Sequence, residues 1–600
     1  MLAAQGTSTL AAMQRVLVLG AMIAVSLGFL WHWDRFDFLC DDAYISFRYA
    51  ENLARAGELT WNLGEPPVEG YTNFLWTVLV AAGIRLGAGP EASAPVLGAI
   101  FGLLSLWALF WMQRVLSGAG GLRPGRLEQR FGPLEELWGG ARLPSGWDAL
   151  APAIAACWGA FACWSSGGLE TALFTFLLTW GLTQVLREEA ADASGVPGQL
   201  RPSGLIFALA AMTRPEGALL FAVVAAHRLL WSLADLALQA FGRGPRRRLS
   251  ETLLRDGLWI LGFVVLYGAY FAWRYEAYGH LYPNTYYVKV ATTDPGKTLE
   301  AGWAYLQSFA RDYRLLHLAP LGALAAGAAW LFGRGGGRRV AYLLTLLFPI
   351  LAIHAWHVVR FGGDFMAMHR FFVPIVPILA LLMALGARAL TELPLLAFKR
   401  RSGRLATWSF LPAAAILVGL FVMWSTELDR KTLTTLRVTP TGYSGEYDGM
   451  ESVAFMRKFA RDRVLVGRWL RERVRRGSLM AVGGAGAIVY HSGLRALDSF
   501  GLSDTWIAHH APPVSHRPGH QKRAPLAYVL SRGPDLLCYP GLVRVQNWEY
   551  SPPPSERLSW ERRGYRYFCA DPPGLYPSHY CCLYRIDRPL GLSPVRAYGD

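Results

Sequence analysis

Two adjacent carboxylates, Asp41 and Asp42, open the segment DDAYISFRYAENLARAG shortly after a long apolar run. Adjacent negative charges repel, so one of the pair can carry a raised pKa and take a proton from a hydroxyl as a general base. Asp is also a good helix N-cap. Ile45, Tyr49 and Leu53 recur at helical spacing, so the same residues read as the start of an amphipathic helix lying in a membrane interface. Four more polar clusters interrupt apolar sequence. They are Ser165, Ser166 and Glu170; Thr213-Arg214-Pro215-Glu216; Tyr282-Pro283-Asn284-Thr285 with Lys289; and Arg360, Gly362, Gly363, Asp364, His369 and Arg370. The cations Arg214, Lys289, His369 and Arg370 suit a phosphate group. Arginine forks match its oxygens and lysine supplies a point charge. The ordinary alternative is headgroup anchoring by snorkelling. Gly362-Gly363 before Asp364 reads as a tight loop whose backbone approaches a neighbour or ligand closely. The expected site is therefore Asp41 and Asp42 for catalysis, with Glu170, Arg214, Glu216, Asn284, Lys289, Asp364, His369 and Arg370 for substrate binding.

Those clusters must be carried by apolar helices. The chain has 600 residues, 53% of them hydrophobic and only 17% charged, with a mean hydropathy of +0.24. That composition excludes a disordered or collagen-like chain, and the long apolar runs make a purely soluble protein a poor fit. Eleven spans are expected, at 14–31, 93–116, 149–165, 169–186, 203–213, 216–234, 258–275, 315–333, 340–358, 372–388 and 407–425. The first lacks a small-residue cleavage site and reads as a retained anchor. The apolar stretch 73–88 reads as either a twelfth span or an interfacial helix.

The charge distribution chooses between them. The net charge is +16. With 73–88 in the interface, the basic residues fall in loops on one side, for example Arg123, Arg126 and Arg130, Arg246 to Arg248, and Lys399 to Arg401. The positive-inside rule makes that side cytoplasmic. A twelfth span would put them all outside. The basic excess is thus a matter of topology, and a nucleic-acid partner loses its support. All five polar clusters then share the outer face, in a catalytic membrane domain of residues 1–425 whose first outer loop is 32–92.

Residues 426–600 form the second expected domain, outside the membrane. The segment SLMAVGGAGAIVYHSGLRALDSFGLSD reads strand, glycine-rich turn, short helix, strand. It resembles a nucleotide-binding crossover but lacks a full G-x-G-x-x-G fingerprint, so a structural turn in an α/β domain is the expectation. Cys538, Cys569, Cys581 and Cys582 are an even set in an oxidising compartment and suggest disulfides, with three pairings open. His509-His510 has no further ligand at metal-binding spacing. Trp506, Tyr528, Trp548, Tyr550 and Trp560 either stack on sugar rings or form the core.

The segments DDAYISFRYAENLARAGELTWNLGEPPVEGYTNFLW, SSGGLETAL, TRPEG, YGHLYPNTYYVK and GGDFMAMHRFFVP, in this order, resemble the bacterial GT-C membrane glycosyltransferases related to the mycobacterial terminal arabinofuranosyltransferase. The resemblance implies a polytopic α-helical membrane protein of the GT-C fold, with eleven membrane helices, interfacial helices in the first outer loop and a periplasmic C-terminal α/β domain. It also implies a polyprenyl-phosphate-linked sugar donor and places Asp41 and Asp42 at the family's acidic pair. The expected partners are that donor, a glycan acceptor and the lipid bilayer of the inner membrane. The sugar, hexosyl or pentosyl, does not transfer with the resemblance. No cofactor is required by the sequence, and a divalent metal is compatible with it. The expected reaction is a single inverting displacement with an Asp base and cations on the departing phosphate. A transporter or flippase for a lipid-linked glycan is the rival, but matched halves with broken helices at the midplane are not evident. A purely structural membrane protein gives no reason for an acidic pair opposite a basic set.

Overall fold

The computed structural model describes residues 2–116, 144–193, 201–241, 249–291, 293–332, 337–397, 403–439, 442–517, 519–545, 552–570, 572–575 and 578–588. The basic loop positions around Arg126, Arg246 and Arg400, together with Trp548 and Tyr550, lie outside the described residues. The chain is a mostly helical membrane protein with a smaller sheet-containing C-terminal region. Each expected span coincides with a helix or helix pair. Among the described residues, seven helices are long and apolar enough to cross a bilayer, and an eighth crossing arises if a bent pair counts as one. Thr171–Ala193, Ser203–Thr213 and Leu315–Phe332 pack in the same assembly without meeting that test.

The bent pair corrects the expected straight span at 149–165. Gly146–Ala156 and Gly159–Ser166 meet at 63°. Trp158 carries the break, and Gly159 lets the helix Gly403–Thr434 approach. A Cβ at Gly159 would stand 2.1 Å from Asp429 Oδ1. Asp429 in turn pairs with His32 Nε2 at 2.8 Å, while His32 Nδ1 donates to the Ala156 carbonyl at 3.1 Å. The carbonyl freed at the broken end is thus satisfied by the first helix, as burial requires.

The ambiguous stretch 73–88 forms Phe74–Arg85. Twelve residues rise about 18 Å, short of the roughly 30 Å bilayer core. It packs against the amphipathic helix Ala43–Ala56, as an interfacial segment would. A helix at Pro295–Asp312 was not expected from the sequence, although its start is legible. Asp294 accepts from Lys297 N at 3.1 Å and Pro295 occupies the first position, where proline is favoured.

The C-terminal region contains a five-stranded mixed sheet. Its order is Arg495–Asp498, Leu479–Val482, Leu536–Val545, Ser578–Arg585 and Tyr565–Ala570. The first three strands run parallel and the last two pair antiparallel. The expected strand, glycine turn, short helix and strand appear as Leu479–Val482, Ala487–Ser492 and Arg495–Asp498. Two disulfides, Cys538–Cys582 and Cys569–Cys581, select one of the three pairings. Trp506 stacks on Tyr528 at 4.0 Å and on His510 at 5.5 Å and remains exposed at the domain surface. Trp560 packs against the sheet's core. His509 stacks on His280 at 4.4 Å.

This domain shares a core with the first outer loop. Ile45, Tyr49, Trp61 and Tyr71 are buried in one cluster with Val466, Leu470, Met480 and Val489. Trp61 Nε1 donates to the Ala496 carbonyl at 2.9 Å, and Arg48 Nη2 donates to that of Leu494 at 3.0 Å. The acidic pair therefore sits between the membrane helices and the sheet domain.

Candidate active site

A cavity of about 420 Å³ lies at that junction. Its size falls within the roughly 300–1,000 Å³ range of small-ligand sites. Eight of the ten expected site residues line it: Asp41, Asp42, Glu170, Arg214, Glu216, Lys289, Asp364 and Arg370. They come from five separate stretches of chain, so only the tertiary fold brings them together.

The two aspartates have different surroundings. Asp41 is buried, and its Oδ1 accepts from the backbone N–H of Ala487 at 2.9 Å. Burial pushes its pKa up to about 6, against the opposing pull of Arg463 and the Ala487 N–H. Asp42 precedes the helix Ala43–Ala56 but makes no side-chain capping hydrogen bond. Its backbone is already helical, at φ −62° and ψ −24°, whereas a capping side chain needs an extended backbone. Capping of that helix thus does not explain the Asp42 carboxylate. Asp42 is half-buried on the cavity wall and keeps its oxygens uncommitted among the described residues.

The cations are held in graded ways. Arg214 Nε pairs with Glu216 at 2.6 Å, with Glu170 farther away at 3.9 Å. Its Nη1 is buried and has no acceptor, which leaves a donor for a ligand oxygen. Glu170 also accepts from Asn73 Nδ2 at 3.0 Å. Arg370 pairs with Asp364 at 2.7 Å, and its guanidinium lies over Phe371 at 4.8 Å and Trp164 at 5.2 Å. Stacking fixes the plane of the fork. Lys289 projects from the short helix Asn284–Val290 into the cavity. The enclosing protein pushes its pKa down, and Arg370 adds to this. An anion in the cavity would relieve both effects.

Two expected residues are not part of this lining. His369 is fully buried on the far side of its loop, where its Nε2 meets Ser308 Oγ at 2.9 Å. It packs against Tyr305 and Phe309. Met368 and His369 both take left-handed backbone conformations, at φ 59° and 52°, so His369 turns inward while Arg370 faces the cavity. Such non-glycine residues are strained, and the surrounding packing has to hold them. Asn284 is a clamp. Its Nδ2 donates to the carbonyls of Gly501 at 2.7 Å and Leu502 at 3.0 Å, and its N–H donates to that of Glu69. Gly362-Gly363 does form the expected tight loop. Both have positive φ, and a Cβ at Gly363 would press on Tyr305 at 2.6 Å.

The sequence did not single out the cavity residues that come from the C-terminal domain, notably Glu451, Asp498, Arg517 and Gln521. Glu451 pairs with Arg517 at 3.3 Å, yet burial pushes its pKa up to about 8. Gln521 Nε2 reaches the Lys289 carbonyl at 3.2 Å. Asp498 is engaged in its own turn, accepting from Phe500 N and Ser503 N. Among the described residues no three or more His, Cys, Asp or Glu side chains converge to hold an ion.

Residues 454–583 match a family described as a domain of unknown function (DUF8728). A stretch of 135 residues is 34% identical to the terminal β-(1→2)-arabinofuranosyltransferase of Corynebacterium glutamicum. It covers 20% of this chain and spans 19% of that relative's length. Among solved structures, ArnT from Cupriavidus metallidurans bound to undecaprenyl phosphate superposes with a TM-score of 0.49 at 11% identity, covering 94% of this chain and 97% of that one. The oligosaccharyltransferase of Archaeoglobus fulgidus in the apo form gives 0.43 at 12% identity, covering 80% and 64%.

Proposed function

We propose that this chain is a GT-C membrane glycosyltransferase that moves a sugar from a polyprenyl-phosphate donor to a hydroxyl of a cell-envelope glycan at the periplasmic face. The observation that carries the reading is the single cavity in which an uncommitted carboxylate, Asp42, shares walls with Arg214, Lys289 and Arg370 at the ends of apolar helices. The partial similarity to an arabinofuranosyltransferase supports a glycosyl transfer, and the one-sided Lys and Arg distribution supports the periplasmic placement.

In this mechanism the lipid tail lies along the apolar helices and the donor phosphate rests among Arg214, Lys289 and Arg370. Asp42 takes the proton of the acceptor hydroxyl as its oxygen attacks the anomeric carbon. The bond from that carbon to the phosphate oxygen breaks, and the polyprenyl phosphate leaves with the electron pair. The cations stabilise the charge that develops on it. One displacement inverts the anomeric centre. Asp41, bonded to Ala487 N, fixes the turn from which Asp42 projects.

The test is the purified protein in nanodiscs, supplied with pentosyl and hexosyl polyprenyl phosphates and an envelope-glycan acceptor. Mass spectrometry should detect free polyprenyl phosphate and a lengthened acceptor in equal amounts. Donor that crosses the bilayer with its sugar intact would establish transport and overturn the reading.

A further inference from the structure

The glycine-rich turn Gly483-Gly484-Ala485-Gly486 invites comparison with phosphate-binding turns, but the backbone N–H of Ala487, just beyond it, already has an anion. That partner is Asp41, 446 residues away in sequence, whose Oδ1 accepts at 2.9 Å. A Cβ built on Gly486 would stand 2.1 Å from the Asp41 carbonyl oxygen and 2.5 Å from its Oδ2. Gly484 has φ +67°, and a Cβ built on it would stand 3.8 Å from Oδ2 of the same carboxylate. The turn is thus shaped around residue 41: Gly486 is needed for backbone-to-backbone approach and Gly484 for its positive φ. A phosphate placed there would meet a carboxylate.

We propose that Gly486 and the Ala487 N–H are positioning residues for the acidic pair, so that Asp42 is aimed into the cavity only when the C-terminal domain is docked on the first outer loop. This rests on the proposed glycosyl transfer. The helix that follows Asp42 is bound to the same domain: Arg48 donates to the Leu494 carbonyl, and Ile45 and Tyr49 share its core. Both the turn before Asp42 and the helix after it are therefore held by the same domain. Displacing such a group by about an ångström can cost on the order of a hundredfold in rate.

The experiment is a cycle of Gly486→Ala and Asp42→Asn with sugar transfer as the readout. Wild-type activity establishes the reaction first; its absence would defeat the proposed function and overturn this inference with it, whereas the outcomes below bear on the inference alone. Gly486→Ala should lower kcat roughly ten- to a hundredfold, with the donor KM within about threefold of wild type, since the cations are untouched. In the Asp42→Asn background the same change should cost less than about threefold, because there is no base left to aim. An equal loss in both backgrounds would show general disruption and overturn the proposal, as would a fully active Gly486→Ala. If Gly486→Ala fails to accumulate in the membrane, Ala487→Pro is read in the same cycle. It deletes the N–H at a first helical position where proline is tolerated. The same two outcomes decide.

Discussion

Lys289 is the cleanest probe of the donor phosphate. Arg370 is tied to Asp364 in a buried pair, so Arg370→Ala leaves an uncompensated carboxylate and would cost about 3–5 kcal/mol of stability on top of any binding loss. Lys289 faces the cavity without an ion-pair partner among the described residues, and its removal strands nothing. Lys289→Met keeps the stem and deletes the charge. One charge-assisted hydrogen bond is worth roughly 1.5–3 kcal/mol, which converts to a rise of about ten- to a hundred-and-fifty-fold in apparent donor Kd. The open cavity argues for the lower half of that range, because water screens the pair. A pH dependence should accompany it. The lysine pKa in the free protein lies below its ordinary value, owing first to desolvation at the cavity wall and then to Arg370, although the side chain keeps contact with solvent. Donor affinity of the wild type should therefore fall as pH rises through that lowered value, while Lys289→Met should be flat over the same interval. The assay is a titration of a polyprenyl-phosphate sugar against both proteins in nanodiscs at several pH values. Unchanged donor affinity in Lys289→Met would remove this lysine from the site.

Arg274 pairs with both oxygens of Glu69, at 2.9 and 2.8 Å, with both side chains buried, and anchors the first outer loop to a membrane helix. Arg274→Ala should destabilise the protein by about 3–5 kcal/mol in a thermal-unfolding assay, and a loss below about 1 kcal/mol would contradict the anchoring role. Glu451, pushed up to about 8 chiefly by burial, adds stability in full below the ordinary carboxylate range and loses it as pH rises through about 8. Glu451→Gln should flatten the fall in unfolding temperature between pH 6 and pH 9, and an equal fall in both proteins would refute the assignment. Cysteines introduced at Pro245 and Leu436 should be labelled from opposite sides of the membrane, and labelling from one side would sink the expected topology.

Much of this arrangement is legible in the sequence because it is local. Asp41-Asp42 announces itself after an apolar run, and the crossover from Leu479 to Asp498 follows from alternating apolar runs and glycines. The bend at Trp158 was missed because hydropathy averages over it; Pro152 and Gly159 are its local signals. His369 misled because its type suits a phosphate, while the left-handed pair at Met368 and His369 that turns it inward leaves no periodic trace. Asn284 misled in the same way, since an amide that clamps three carbonyls looks like one that binds a ligand. Glu451, Arg517 and Gln521 stayed hidden for another reason. Their place in the cavity depends on how the sheet domain sits on the first outer loop, and contacts separated by hundreds of residues have no signature in one sequence.

The central claim is that Asp42 accepts the proton of the attacking hydroxyl. Asp42→Asn preserves the shape of the side chain and removes its basicity. Single-turnover transfer from a polyprenyl-phosphate sugar, measured by mass spectrometry beside wild type and Asp41→Asn, tests it directly. Asp42→Asn should lose about 10²- to 10⁴-fold with donor affinity retained, and Asp41→Asn should lose less, because its amide oxygen can still accept from Ala487. Transfer by Asp42→Asn at close to the wild-type rate would contradict it.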